Sequence, residues 1–220
     1  VRTRDGRPPL TRDRVVAAAV ELADVDGIDA LSMRALARSL GVEAMSLYHH
    51  VANKNDLLDG MVDAVFAELD RPEPGAPWRE AIRDRCTSLR AALLRHPWAV
   101  GRLDSRRTPG MATLDHHDAV IGCLRLGGFS VRAAALAFAS IDAFVFGFVV
   151  QELGLPMEPG EDTAMLAAEI LASVPADTLP HLAEMVAEHV GLAGYTFAAE
   201  FEPGLDLVLD GLARLRDDPA

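Results

Sequence analysis

The stretch Ser32–Leu58, SMRALARSLGVEAMSLYHHVANKNDLL, decides the fold of this chain. It reads as two short helices joined at Gly41, with a further helix opening at Asn53. Ser32 is a good N-cap because its hydroxyl can satisfy an unpaired backbone N–H, and Leu36 and Leu40, four apart, give the first helix one buried face. Gly41 stops that helix, since glycine takes the left-handed conformation without steric cost. The chain can then turn sharply and restart at Val42-Glu43 with an acid at the positive helix end. The result is a helix-turn-helix. In its second helix Leu47 and Val51 share the inner face, which leaves Met45 and His49 pointing away with Ser46 and Tyr48 on the flanks. Those four are what a duplex would meet.

Working outward, Thr11 is expected to cap a first helix with Asp13 in its first turn, and Val15, Ala18, Ala19 and Leu22 form its inner stripe before Gly27 ends it. Asn53 caps the fourth helix, Asp56 completes a box-like pair, and Leu58, Met61, Val62, Val65, Phe66 and Leu69 repeat at 3.6-residue spacing. Lys54 sits where a helix start and a cation together suit a phosphate. The run RPEPGAP, 71–77, lets no helix through and marks a boundary. Beyond it the pattern predicts helices from Trp78 to Arg95, from Pro109 to Gly127-Gly128, from Ser130 to about Leu153, over about 163–174 and 177–190, and from about Glu200 to Arg216. Strand alternation and fixed-period repeats are absent from the sequence, so the expected fold class is all-α. A head over 1–58 carries the helix-turn-helix, a helix over 53–70 connects, and 71–220 form a larger helical body.

A chain of 220 residues that is 50% hydrophobic can build its core without metals or disulfides. Cys86 and Cys123 lie in apolar helical stretches and read as buried free thiols in a reducing compartment, which places the protein in the cytoplasm. The formal charge of −12 seems wrong for a nucleic-acid binder until the chain is cut at Lys54. Residues 1–54 hold 8 Lys+Arg against 7 Asp+Glu, leaving 13 against 26 for the rest. The acidic surplus is in the body, which DNA would repel, while Arg2, Arg4, Arg7, Arg12 and Arg14 crowd a leading segment that either reaches phosphates or is a solvated tail. VRTRDGRPPL has no apolar core, so no secretory signal is expected there. Ala133–Val150 has the minimum length to span a bilayer, but Asp142 at its middle favours a buried helix, and no membrane association is expected.

For catalysis the sequence offers no G-x-S-x-G, no Gly-rich phosphate loop, no H-E-x-x-H and no cysteine with an obvious base, so neither an enzyme nor a cofactor is expected. His49 and His50 point about 100° apart on a helix and cannot chelate one ion, and His116-His117-Asp118 lacks the i,i+4 partner of a helical site. Those histidines read as exposed, and a metal site is not expected.

The run LGVEAMSLYHHVANKNDLL closely resembles the DNA-binding head of TetR (tetracycline repressor) family regulators, whose recognition helix ends in a similar Leu-Tyr-x-His followed by a Lys and a Leu-rich fourth helix. WREAIRDRCTSLRAALLRHP and LRLGGFSVRAAALAF resemble the ligand-binding body of the tetracycline repressor subgroup. The resemblance implies a homodimeric, ligand-responsive regulator of a double-stranded DNA operator, most simply a repressor released by a small molecule. It places Ser32, Arg34, Glu43, Ala44, Met45, Ser46, Tyr48, His49, His50 and Lys54 at the duplex, with Arg34 reading a base and Ala44 and Met45 limited to apolar contact. It also implies pairing of helices 130–153 and 200–216 with their copies, through Leu205, Val208, Leu209 and Leu212. Gly147, Gly204 and Gly211 would permit close approach there, although both stripes packing inside one chain is the alternative.

The resemblance breaks at the drug site. In the register set by Pro109 and Gly128-Phe129-Ser130, the histidine that holds the drug-bound magnesium falls on Asp104 and the Thr-Arg pair on Arg107-Thr108. Arg85 and Leu89 replace the drug-binding asparagine and phenylalanine, and Asp70 replaces the helix-4 histidine. Tetracycline is therefore not the expected ligand. The expected pocket is Arg85, Leu89, Trp98, Asp104, Asp142, Phe144 and Phe148. Asp142 either pairs with an arginine such as Arg85 or Arg102, meets a cationic ligand group, or faces water beside Ser140 and Gln151. The alternative function is a helical small-molecule-binding protein or enzyme without specific DNA binding.

Overall fold

The computed structural model describes residues 9–102, 109–156, 163–173, 178–192 and 194–217, and among them there is no strand. The helices are α1 (Arg12–Asp26), α2 (Met33–Leu40), α3 (Ala44–Leu47), α4 (Lys54–Ala67), α5 (Trp78–Arg95), α6 (Met111–Leu126), α7 (Val131–Gly154), α8 (Thr163–Ala172), α9 (Pro180–Met185) and α10 (Phe201–Asp217). α1 packs on α2 and α4, and α2 on α3, to form the head. In the body α5, α6 and α10 surround α7, and α4 reaches from the head onto α6.

Each start in the head has a local cause. Thr11 Oγ1 accepts from Arg14 N at 3.3 Å, Ser32 Oγ from Ala35 N at 3.1 Å, and Asn53 Oδ1 from Asn55 N at 2.9 Å and Asp56 N at 3.0 Å. Gly41 has φ +66°, the left-handed conformation that lets α2 end and α3 begin within three residues. α3 is shorter than the sequence suggests. Tyr48 N bonds Met45 O and His50 N bonds Leu47 O, so the helix tightens into a turn before Asn53 opens α4. Leu47 and Val51 are both buried. In α4 Met61, Val62, Val65, Phe66 and Leu69 are buried as expected, but the stripe begins at Leu57, fully buried, and Leu58 is only half-buried.

Asp56 does not close a box on the N-cap amide. Its carboxylate accepts from Ala52 N at 2.7 Å and from Arg12 Nη2 at 2.7 Å, while Arg12 Nη1 donates to His50 O at 3.2 Å. The Arg12 guanidinium first, then the Ala52 amide, hold the Asp56 carboxyl below its usual range. Arg12 is thus committed to tying α1 to α4 and is not free for phosphate. Arg14 donates to Pro9 O at 2.7 Å, and Arg2, Arg4 and Arg7 lie outside the described residues.

α7 is long and apolar enough to cross a membrane, but Ala133, Ala137, Ile141, Val145 and Val149 face the core. The stripe of α10 is corrected in the same way. Leu205, Leu209 and Leu212 are buried inside a single chain, because α10 lies along α7 and is fastened to α5 by Arg79 to Asp210 at 2.7 Å and Arg83 to Glu202 at 2.7 Å. Only Val208 of that set stays half-buried, and Gly204 packs onto the Phe144 ring, where a Cβ would lie 3.0 Å from two ring carbons.

At the centre of the body Asp142 is buried and accepts from Arg85 Nη1, itself 1% exposed, while Arg85 Nε donates to His116 Nε2 at 3.1 Å. One polar cluster therefore joins α5, α6 and α7, and Asp142 does not lie on a wet strip with Ser140 and Gln151. His116 is buried, not the exposed histidine expected from sequence. Burial and then the Arg85 charge push its pKa down from 6.5 to about 3.

Two outcomes follow from these contacts. Leu209→Asp places an unpaired charge in the core of one chain, so thermal unfolding shows the body itself destabilised, by about 3–5 kcal/mol; an unchanged melting temperature would return Leu209 to a surface. Between pH 6.5 and about 3 the unfolded chain protonates His116 and the folded one does not, so this group removes stability as pH falls, with a slope of up to about 1.4 kcal/mol per pH unit. Urea midpoints of His116→Gln should therefore decline less steeply than the parent's below pH 6.5, and parallel curves contradict this.

Candidate functional site

The outer face of the helix-turn-helix gathers most of the expected DNA residues. Met45 is 72% exposed and Tyr48 44%, with Arg34, Glu43 and His49 also exposed and Ala44, Ser46 and His50 half-buried beside them. Hydrogen-bond donors on this face come from Arg34, Ser46, Tyr48, His49 and His50, whereas Ala44 and Met45 have none. Ser32 spends its acceptor on the α2 cap and keeps a hydroxyl proton to give. Glu43 stands at the N-cap of α3 with no side-chain cap bond.

Lys54 is placed differently from a free surface cation. Its Nζ donates to Leu31 O at 2.7 Å, one residue before the Ser32 cap. That bond brings the start of α2 beside the start of α4, so two helix N-termini and an ammonium with further N–H donors converge. In the sequence its charge and its place at a helix start mark Lys54 as a phosphate candidate. The Leu31 contact, 23 residues away, had no sequence signal.

The expected pocket residues do not line one cavity. Arg85 and Leu89 are buried on α5, and Asp142 belongs to the Arg85 cluster. Phe148 stacks on Phe197 with ring centroids 4.7 Å apart and packs at 5.2 Å on Phe201, which also meets Phe144 at 5.5 Å. The Arg90 guanidinium covers the Phe201 ring at 4.9 Å, closing this aromatic cluster. Trp98 is elsewhere again: it is buried where the body meets the head, its Nε1 donating to Asp24 Oδ1 at 2.6 Å, so it is no pocket residue. Asp104, with Arg107 and Thr108, lies outside the described residues.

A cavity of about 180 Å³ opens between α4 and α6, lined by Phe66, Leu69, Arg71, Ala112, Asp115 and His116. Its inner wall is the His116 ring, whose other side holds Arg85. Phe66 lies 5.6 Å from His116 and 5.5 Å from His117, and His117 meets Phe138 at 5.1 Å, so aromatic contact runs from α4 through α6 to α7. Pockets that hold drug-sized ligands have volumes of about 300–1,000 Å³. Filling this site with a multi-ring molecule therefore requires α4 and α6 to part. A larger groove of about 880 Å³, between the 70–77 loop and the outer face of α5, is lined by Asp70, Glu73, Glu80 and Asp84 and contains none of the expected pocket residues.

α4 and α6 are also latched. Thr113 Oγ1 donates to Asp63 Oδ1 at 2.8 Å, and Asp63 presses on Gly110 so closely that a Cβ there would lie 1.5 Å from its Oδ2. Asp63 is not among the residues the sequence marks, and His116 is marked there only as an exposed histidine. His116 was legible, since it shares the inward spacing of Val120, Cys123 and Leu124. Asp63 was not, because its partner comes from a separate helix.

Residues 15–61 match the family of bacterial regulatory proteins, tetR family, and residues 71–216 match the tetracyclin repressor-like C-terminal domain. An HTH-type transcriptional regulator of Saccharopolyspora erythraea is 37% identical over 94% of this chain and 86% of its own length. The HTH-type transcriptional repressor DrrR1 of Streptomyces coeruleorubidus is 33% identical over 96% of this chain and 80% of its own. Among solved structures, the TetR family protein ActR of Streptomyces coelicolor in complex with actinorhodin superposes with a TM-score of 0.79 at 31% identity, covering 96% of this chain and all of that one. The chain belongs to the TetR family of transcriptional regulators, DNA-binding proteins and not enzymes, with a tetracycline repressor-like body.

Proposed function

We propose that this regulator is a cytoplasmic homodimeric repressor, released from its operator by a small apolar or amphipathic molecule other than tetracycline. The observation that carries the reading is the continuity of α4, which at one end carries Lys54, bonded to the start of α2, and towards the other supplies Phe66 to the effector cavity and Asp63 to the α6 latch. A molecule entering against His116 and Phe66 has to displace α4 relative to α6, and α4 takes the head with it. Residues 1–58 are assigned to DNA binding, the helix within 53–70 to coupling, and 71–220 to ligand binding and dimerisation.

ActR is seen with actinorhodin, and a TetR of Acinetobacter baumannii with minocycline. For the present chain the cavity favours a flat molecule with oxygen functions, since Phe66 and His116 line it and Arg85 is bonded to His116. Arg85, Leu89 and Asp142 are assigned to the enlarged pocket, and the departures at Arg85, Leu89 and Asp70 argue against tetracycline.

Dimerisation is assigned to the outer face of α7 and α10 in place of the buried leucines. Leu136, Ala139, Ala143, Gly147 and Val150 form an exposed, uncharged strip on α7, and Leu207, 76% exposed, stands with Gly211 on the neighbouring α10. Gly147 and Gly211 have no atom within 4 Å of a built Cβ, which leaves room for a second backbone.

Three measurements test the reading. Lys54→Ala should weaken binding to all DNA alike and lower the salt slope by about one, whereas Arg34→Ala should erode preference for the operator by about 1–3 kcal/mol; a Lys54→Ala variant that binds like the parent removes the phosphate role. In sedimentation, the parent should be a dimer at micromolar concentration and Leu207→Asp a folded monomer, while a monomeric parent overturns the dimer. Footprinting on DNA flanking its own gene should show protection that a soaked-in aromatic effector relieves.

A further inference from the structure

A second contact between head and body, apart from the α4–α6 latch, is built from α1 and the end of α5. His96 and Trp98 follow α5 directly and are buried, at 6% and 7% exposure. His96 Nδ1 lies 2.8 Å and Trp98 Nε1 2.6 Å from the same oxygen, Asp24 Oδ1, on the last turns of α1. A carboxylate oxygen can only accept, so both rings donate to it. On its other side His96 Nε2 lies 3.3 Å from Glu68 Oε2, just beyond α4, and Arg95 donates to the same Glu68 oxygen at 2.7 Å. The two rings meet edge to face at 6.1 Å, so they are held against each other as well as by Asp24.

This arrangement is more than a surface ion pair. The Arg95 and Glu68 side chains are 53% and 39% exposed, and water screens their attraction. The Asp24 bonds come from rings that are themselves buried, and a donor left unpaired there keeps its desolvation cost. Because Asp24 belongs to α1, Glu68 to the end of α4, and His96 and Trp98 to the segment after α5, their bonds fix two head helices against the body at a place separate from the Asp63–Thr113 contact of α4 with α6. A rigid unit held at one place can pivot. Held at two, it has a defined angle.

We propose that Asp24, His96 and Trp98 are positioning residues that set the angle of the head on the body, and through it the spacing of operator half-sites the dimer accepts. The inference rests on the dimeric-regulator reading above. Half-sites on DNA are read together only when two heads are one helical turn, or multiples of it, apart, so an angular error at the junction is multiplied by the length of the head. None of the three residues reaches the recognition face, and the affinity of one head for one half-site does not depend on them.

The test starts from duplexes that the parent selects from a random pool. Binding is then measured to the selected two-half-site operator, to the same operator with one or two base pairs added or removed between half-sites, and to a duplex carrying a single half-site. Trp98→Phe keeps an aromatic six-membered ring and removes the N–H together with the second ring of the indole. It should bind the operator about tenfold more weakly with single half-site binding unchanged, and should lose most of the parent's discrimination between native and altered spacing. Asp24→Asn and His96→Gln carry the same comparison if Trp98→Phe does not fold. Variants that keep the parent's spacing preference overturn the proposal, and so do variants that lose operator and half-site binding in equal measure, which would make the cluster a mere support of the head. A parent that selects no paired half-sites defeats the dimeric reading itself, an outcome distinct from either.

Discussion

Burying a guanidinium and a carboxylate in a body made of alanine, leucine and phenylalanine costs several kcal/mol per ion in lost hydration, and only their mutual contact offsets it. That constraint places Arg85 against Asp142 and thereby fixes the axial setting of α5 on α7. The third member follows from the first two. Arg85 Nε needs an acceptor, His116 Nε2 supplies one, and an imidazole that accepts there has to stay neutral, as its depressed pKa records. α6 is thereby set by α5 and α7. Since Asp63 of α4 grips Thr113 and Gly110 at the start of α6, the position of α4, and of the head it carries, traces back to a charge pair at the centre of the body.

What was legible in the sequence is what is encoded within a turn or two of chain. Thr11, Ser32 and Asn53 cap helices through amides two or three residues ahead, and Gly41 turns the chain by its own backbone freedom. Periodicity placed the buried faces, with one slip from Leu57 to Leu58. The exposed recognition residues were legible for the same reason, because they are what the buried Leu47 and Val51 leave over. Contacts between distant residues were less so. Arg12 looks like a phosphate ligand until Asp56 arrives from α4, and Trp98 looks like a pocket wall until Asp24 arrives from α1. Amphipathic stripes carry a further ambiguity: Leu205, Leu209 and Leu212 show that α10 buries a face, yet the stripe looks the same whether the cover is α7 of the same chain or a second molecule.

Charge is divided between the parts in a way that supports their separate tasks. The acidic surplus of the body is partly neutralised where helices meet, with Arg79 and Arg83 of α5 set among Glu202, Asp206 and Asp210 of α10. Asp142 and Glu152 are paired inside the body with Arg85 and Arg90, and the exposed acids among the described residues, such as Asp70, Glu73 and Glu80, repel a duplex and favour approach through the head. In the described part of the head the Arg12 charge is paired with Asp56, and the Arg14 guanidinium is tethered to the Pro9 carbonyl.

The border between head and body is chemically unlike either interior. Phe66 and Leu69 provide apolar contact on α4, but α1 and the start of α6 meet their neighbours through Asp24, His96, Trp98, Asp63 and Thr113. An apolar core resists rearrangement because opening a cavity costs about 2–5 kcal/mol for one large side chain. A hydrogen bond that exchanges its partner for water loses only about 0.5–1.5 kcal/mol net. Coupling free energies between sites are about 1–3 kcal/mol. Two or three polar contacts at the border therefore match the scale on which an effector shifts a head, whereas a continuous leucine interface there would exceed it and lock the protein in one state.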